Sequence, residues 1–186
     1  SSGYGQTGPY MKRPGQDMLV QALTGAMWLN GTSNGPPMVT GIAIADQFTA
    51  LHLVVGILAA LQNRQRTGKG QRVDVDLMAC MMAIQQQELT VYLNHGVQYE
   101  RAGENIGHPG LTAPAGTYPT AAGHMILAMF PCPKLGEILE IGWLAEYDSN
   151  EKMGQARDAV YRKLAAHFAT RPTAHWIELL SAHDVW

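Results

Sequence analysis

Between Phe48 and Leu77 the apolar residues change their period once, across a glycine-rich turn, and this switch limits the fold more than any other feature of the chain. Phe48, Leu51, Val55, Leu58 and Leu61 recur at three- and four-residue intervals, the spacing of one helix face. Arg64 and Arg66 follow where the macrodipole favours cations, and Thr67-Gly68-Lys69-Gly70 supplies the glycine that a helix end prefers. Val73, Val75 and Leu77 then alternate with Arg72, Asp74 and Asp76, which predicts a strand over 72–77. Helix, tight turn and strand form one αβ unit, so the class is α/β. Asp46, directly ahead of the helix, is its predicted N-cap.

Upstream, Asp17 can cap a helix in which Leu19, Val20, Ala22, Leu23, Ala26 and Met27 share a face and which Asn30 and Gly31 end. Residues 32–37 have no apolar period and carry Pro36 and Pro37, which cannot donate backbone hydrogen bonds, so they form a loop. A short apolar stretch, Met38 to Ala45, then leads to Asp46. Downstream, a methionine-rich helix from Met78 to about Leu93 reads as a bridge between two bodies.

Glycines and prolines between Asn94 and Pro114 interrupt any period and place a linker over 94–114. Beyond it, strands are expected over 115–120 and 124–130, joined by Ala121-Ala122-Gly123. A helix over 156–169 carries Val160, Leu164 and Phe168 on one face, and a last helix spans roughly 174–182. Residues 115–186 are therefore a small α+β body, and 1–93 belong to a separate α/β one.

The chain has 186 residues, of which 46% are apolar and 15% charged, enough for one core or two small ones. A formal net charge of −2 leaves no positive excess to neutralise a nucleic-acid backbone or an anionic membrane. Cys80 and Cys132 lie far apart without metal-ligand spacing, which suits a reducing, cytoplasmic setting. The most apolar stretch, through Leu61, is interrupted by Asp46, Gln47 and His52, so no membrane-spanning segment is expected. An opening on Ser1 and a close directly after a helical pattern suggest a section of something longer.

Gly3, Gly5 and Gly8 spell G-x-G-x-x-G, but no helical period begins inside the motif, so a dinucleotide site is rejected there. Thr67-Gly68-Lys69-Gly70 follows a helix instead of preceding one and is a turn, not a phosphate loop. No two of the seven histidines have the spacing that presents two nitrogens to one metal, so no metal is expected. Tyr4, Tyr10, Tyr92 and Tyr99 receive no role.

Asp46 has two compatible readings. As a helix cap it would contribute about 1 kcal/mol. As a carboxylate delivered by the Gly-Pro-Pro loop to a helix N-terminus, it would stand where anionic substrate groups are also attracted. The helix end stabilises an anion by roughly 0.3–1 kcal/mol, so Asp46 stays ionised without becoming a strong nucleophile. Covalent chemistry would depend on positioning, which can contribute roughly 7–11 kcal/mol.

The segments from Ser2 to Tyr10, Arg13 to Asp17 and Gln21 to Gly25 occur here in a fixed order, followed by Gly35-Pro36-Pro37, Asp46 and Leu58 to Leu61. Arg66 to Gln71, Val73-Asp74-Val75, Ala113-Pro114 and Tyr118-Pro119-Thr120 complete the series. Together they resemble the class III CoA-transferase family, which includes formyl-CoA:oxalate and carnitine CoA-transferases and the α-methylacyl-CoA racemases. The resemblance covers nearly the whole chain.

The resemblance implies a partial Rossmann-like large domain with a bridging helix over 1–93, the linker 94–114 and a truncated small α+β domain over 115–186. It implies an interlocked homodimer for the parent protein, with an acyl-CoA and a small carboxylic acid as substrates. Coenzyme A would be a substrate thioester, and no prosthetic group would be bound. It makes Asp46 the nucleophile that passes through a mixed anhydride to an aspartyl-CoA thioester. In the racemase branch a histidine stands thirty residues before the aspartate; here that position is Gln16, whose amide can neither accept nor donate a proton near neutral pH. CoA transfer is thus favoured over racemisation with Asp46 as base, and a noncatalytic assembly or binding fragment is the remaining alternative. Gln16 is assigned to substrate binding, or else to capping the helix that follows it.

Two departures stand out. Gly103, Gly107 and Gly110 are dispersed, so the glycine-rich loop of formyl-CoA transferase is not evident. Thr120-Ala121-Ala122-Gly123 lacks the turn aspartate of many relatives.

Overall fold

The structure is a computed structural model. It describes residues 1–104 and 107–186; Asn105 and Ile106, inside the segment read as a linker, lie outside the described residues. The chain divides into two units, one of residues 1–30 and 37–99, the other of residues 31–36 and 100–186.

In the first unit, helix α1 spans Asp17–Leu23 and α2 spans Ile44–Thr67, with α3 at Leu77–Ile84 and α4 at Gln86–His95. The small core, Val20, Ala26, Ala45 and Met81, is closed by Tyr4, Ile44, Leu77, Met78 and Ile84. The helix expected from Asp17 to Met27 breaks early, because Gly25 turns left-handed at φ 82° and Ala26–Leu29 continue as a 3-10 turn. Its inward face also differs from the apolar stripe. Gln21 is fully buried while Leu19 and Leu23 are exposed, because hydrogen bonds satisfy both ends of the Gln21 amide.

Two further expectations for this unit are corrected. Residues 72–76 form no strand, since a strand needs a ladder and the described residues supply only a parallel bridge between Ser2 and Asp76, and Leu77 already opens α3. The alternation nonetheless survives: Val73 and Val75 are half-buried and Arg72 and Asp74 exposed. The helix expected from Met78 to Leu93 is two helices, broken at Gln85 (φ −91°, ψ 23°). Both pieces lie within the first unit. Helix α2 is 24 residues long and, by length and composition alone, apolar enough to cross a bilayer. Its uninterrupted apolar run, Leu53 to Leu61, lies between Asp46, Gln47 and His52 on one side and the polar residues 62–67 on the other. Leu51, Val54, Val55, Leu58 and Leu61 are all exposed.

The second unit carries the antiparallel hairpin of β1, Gly116–Thr120, and β2, Gly123–Leu127, in a register that pairs Tyr118 with Met125. Helix α5 spans Cys132–Ile138, α6 Asn150–Gln155, α7 Arg157–Phe168 and α8 Thr173–Ser181. The sequence reading passed over α5, α6 and a 3-10 turn at Gly142–Glu146, pieces too short to display a full apolar period. Val160, Leu164 and Phe168 are fully buried, as their shared face requires. Tyr118 stacks on Tyr161 at 4.9 Å and meets Phe168 edge-on at 5.1 Å. Their polar tips are satisfied: the Tyr118 hydroxyl donates to the Pro114 carbonyl at 2.8 Å and the Tyr161 hydroxyl to the Thr117 carbonyl at 2.7 Å.

Candidate active site

Asp46 lies in the first turn of α2, exposed, and lines an open cleft of about 430 Å³ in the first unit. Ser1, Ser2, Gly3, Gly15, Thr49, Ala50, Leu53 and Leu77 form the rest of the wall. The helix begins at Ile44, so Asp46 is not its N-cap; Ala43 holds that position and makes no side-chain capping bond.

The capping carboxylate comes instead from another helix. Asp17 Oδ1 accepts the backbone N–H of Ala45 at 2.7 Å and of Asp46 at 3.3 Å, while Asp17 Oδ2 accepts from Gln21 Nε2 at 2.6 Å. Asp17 therefore does not cap its own helix, as the sequence suggested, but caps α2. The neighbouring amides are also occupied, Ile44 N–H by the Ile42 carbonyl at 2.8 Å and Gln47 N–H by the Ala43 carbonyl at 3.0 Å. The donors that a helix N-terminus usually offers to an anion are thus already used. Among the described residues no hydrogen bond or ion pair engages the Asp46 carboxylate itself.

Gln16 sits at the N-cap position of α1 with extended backbone (φ −140°, ψ 157°) and makes no side-chain capping bond. The capping role considered for it is therefore not made. It is exposed and does not line the cleft, although its neighbours on both sides bear on the site, Gly15 in the wall and Asp17 on the amides of α2. The spacing of about thirty residues between this segment and Asp46 has a physical basis, since the Asp17 carboxylate touches the Asp46 amide.

The remaining signals keep their plain readings. Gly3 to Gly8 form a loop in which Gly5 N–H donates to Ser2 Oγ at 3.0 Å. Tyr4 and Tyr10 meet edge-on at 5.6 Å, and the Arg13 guanidinium lies 4.3 Å from the Tyr10 ring centroid. Among the described residues no cluster of three His, Cys, Asp or Glu could hold a metal. The bond from Asp17 to the first turn of α2 is the contact that sequence reasoning missed. The only sequence signal of Asp17, an acidic residue before an apolar period, points to its own helix.

The sequence matches the family described as CoA-transferase family III over residues 1–186. The chain belongs to that family. It is 37% identical over 161 residues to the succinate–glutarate CoA-transferase of Agrobacterium fabrum, covering 85% of this chain and 39% of that protein. It is 30% identical over 187 residues to the acetyl-CoA:oxalate CoA-transferase of Acetobacter aceti, covering 97% of this chain and 47% of that one. The crystal structure of a CAIB/BAIF family protein from Brucella suis superimposes with a TM-score of 0.83 at 34% identity, covering all of this chain and 50% of that chain. This family III chain is thus mixed α/β and spans about two-fifths to half the length of the relatives it matches.

Proposed function

We propose that the protein carrying this chain is a CoA-transferase that moves coenzyme A from an acyl-CoA thioester to a small carboxylic acid, with Asp46 as its nucleophile. A carboxylate oxygen of Asp46 attacks the thioester carbonyl and expels the CoA thiolate, leaving a mixed anhydride. The thiolate then attacks the aspartyl carbonyl, which releases the donor acid as a carboxylate and leaves an aspartyl-CoA thioester. The acceptor carboxylate reverses both steps: it displaces the thiolate to form a second anhydride, and the thiolate takes the acceptor acyl group and restores Asp46.

The observation that carries this reading is the Asp46 carboxylate, exposed beside a cleft and without a partner among the described residues, at a helix start already capped by Asp17. A carboxylate retained only to tie down its own helix would instead bond to the amides that Asp17 occupies. Proton transfer between two faces of an α-carbon would need a second titratable group, and the amide at Gln16 is not one. Gln16 is retained as a substrate contact made from beside the cleft. The acceptor is proposed as a small dicarboxylic acid, because the relatives carry succinate, glutarate and oxalate in their names.

We further propose that residues 1–93 form part of a Rossmann-like large domain, that the parent is an interlocked homodimer, and that its remaining chain covers the exposed apolar face of α2. That face exposes Leu51, Val54, Val55, Ile57, Leu58 and Leu61, and contiguous apolar surface of this kind marks an interface. The test is to incubate the full-length protein with acyl-CoA, trap with hydroxylamine or borohydride, and map the modified residue by mass spectrometry. Modification at Asp46 and a loss of transfer of roughly 10⁴-fold or more in Asp46→Ala are expected. α-Proton exchange into solvent without an adduct would overturn the reading in favour of racemisation.

A further inference from the structure

We infer that Asp17 is a positioning residue that keeps the Asp46 carboxylate free to react, an inference that rests on the reading of Asp46 as nucleophile. An aspartate in the first turn of a helix ordinarily turns back onto the amides that the turn leaves unpaired. In α2 the amides of Ala45 and Asp46 are held by Asp17 Oδ1, which takes two of the donors nearest the Asp46 carboxylate.

The carboxylate that does this is itself fixed. Gln21, fully buried, donates its amide N–H to Asp17 Oδ2 and accepts the Thr40 N–H on Oε1 at 3.0 Å. The Thr40 hydroxyl donates to the Ile42 carbonyl at 2.8 Å, and Ile42 in turn accepts the N–H of Ile44. One chain of hydrogen bonds therefore runs from α1 through the approach segment to the first turn of α2, and Asp17 closes it. Without Asp17 two amides become free beside the Asp46 carboxylate, which turns onto them and leaves the cleft.

The test compares Asp17→Ala and Asp17→Asn in the full-length protein, following kcat, KM for the acyl-CoA and the rate of adduct formation at Asp46. Folding is checked by circular dichroism. Asp17→Ala is expected to lower kcat and the adduct rate roughly 10- to 100-fold, with KM changed less than about threefold. Asp17→Asn keeps an oxygen that accepts the Ala45 N–H and is expected to stay within roughly fivefold of the parent. Should Asp17→Ala not fold, Gln21→Leu takes its place, since it leaves the carboxylate but removes its anchor; a fall in kcat of roughly fivefold at constant KM is expected. A folded Asp17→Ala, or the Gln21→Leu that replaces it, with the parent's kcat and adduct rate overturns this inference alone. So does an Asp17→Asn as impaired as the alanine variant, or a change confined to KM. Transfer without any adduct at Asp46 in the unaltered protein overturns the nucleophile reading, and this inference with it.

Discussion

Gly3 and Gly15 approach so closely that a Cβ on Gly3 would stand 2.6 Å from the Gly15 Cα. Both line the cleft beside Asp46, and Gly15 is two residues from the carboxylate that caps α2. Gly3, the first glycine of the sequence that mimics a nucleotide motif, thus serves a backbone crossing that forms part of the wall of the site.

Gly15→Ala is expected to destabilise the first unit by about 1–3 kcal/mol, because the obstacle is backbone and cannot rotate away as a side chain would. Gly70→Ala, where nothing lies within 4 Å, is the control and should stay within about 0.5 kcal/mol of the parent. Urea denaturation of both variants measures the difference, and equal midpoints would contradict the crossing.

The second unit was the more legible in sequence because it buries its own faces. Val160, Leu164 and Phe168 predicted one buried stripe, and the turn residues 121–123 predicted the hairpin. In the first unit periodicity identified which residues share a face but not whether this chain covers it. Leu51, Val55, Leu58 and Leu61 form a good helical stripe and remain exposed, whereas Gln21, with no apolar signal, is buried. Residues 72–77 alternate like a strand but lack a ladder partner among the described residues beyond the bridge at Ser2. Asp46 was legible as an aspartate delivered to a helix start. That Asp17 caps it was not, because capping signals are read locally and this bond spans 28 residues.

His167 predicts a pH dependence of stability. Its ring lies 5.1 Å from Trp176 and 5.9 Å from Phe168, its Nε2 is buried without a partner, and burial holds its pKa below the usual histidine value. His175 also meets Trp176, at 4.9 Å. The unfolded chain binds a proton at His167 near pH 6.5 while the folded one does not, so stability is kept above that pH and falls as the medium is acidified below it. Thermal melts from pH 8 to pH 5.5 should show the second unit losing stability on the acid side. His167→Phe should flatten that slope, and an unchanged slope would remove His167 as its source.

Cys132 predicts the opposite sign at high pH. It is fully buried, its Sγ lies 3.8 Å from the Ala113 carbonyl oxygen and 3.5 Å from Met153 Sδ, and burial pushes its thiol up to about 11. Burial also raises Cys80. The thiolate is the reactive form, so at pH 7.5 iodoacetamide should modify either cysteine roughly 100-fold or more slowly in the folded protein than in urea. Above about pH 8.5 the unfolded chain ionises Cys132 first. Stability should therefore fall between that pH and about 11, where the folded thiol also ionises. Cys132→Ala should weaken this alkaline dependence, leaving the part that the buried Cys80, Tyr118 and Tyr161 contribute, and the cavity should lower the melting temperature at neutral pH. Rapid alkylation of native Cys132 at pH 7.5 would mean that its contact with Met153 of α6 opens to solvent.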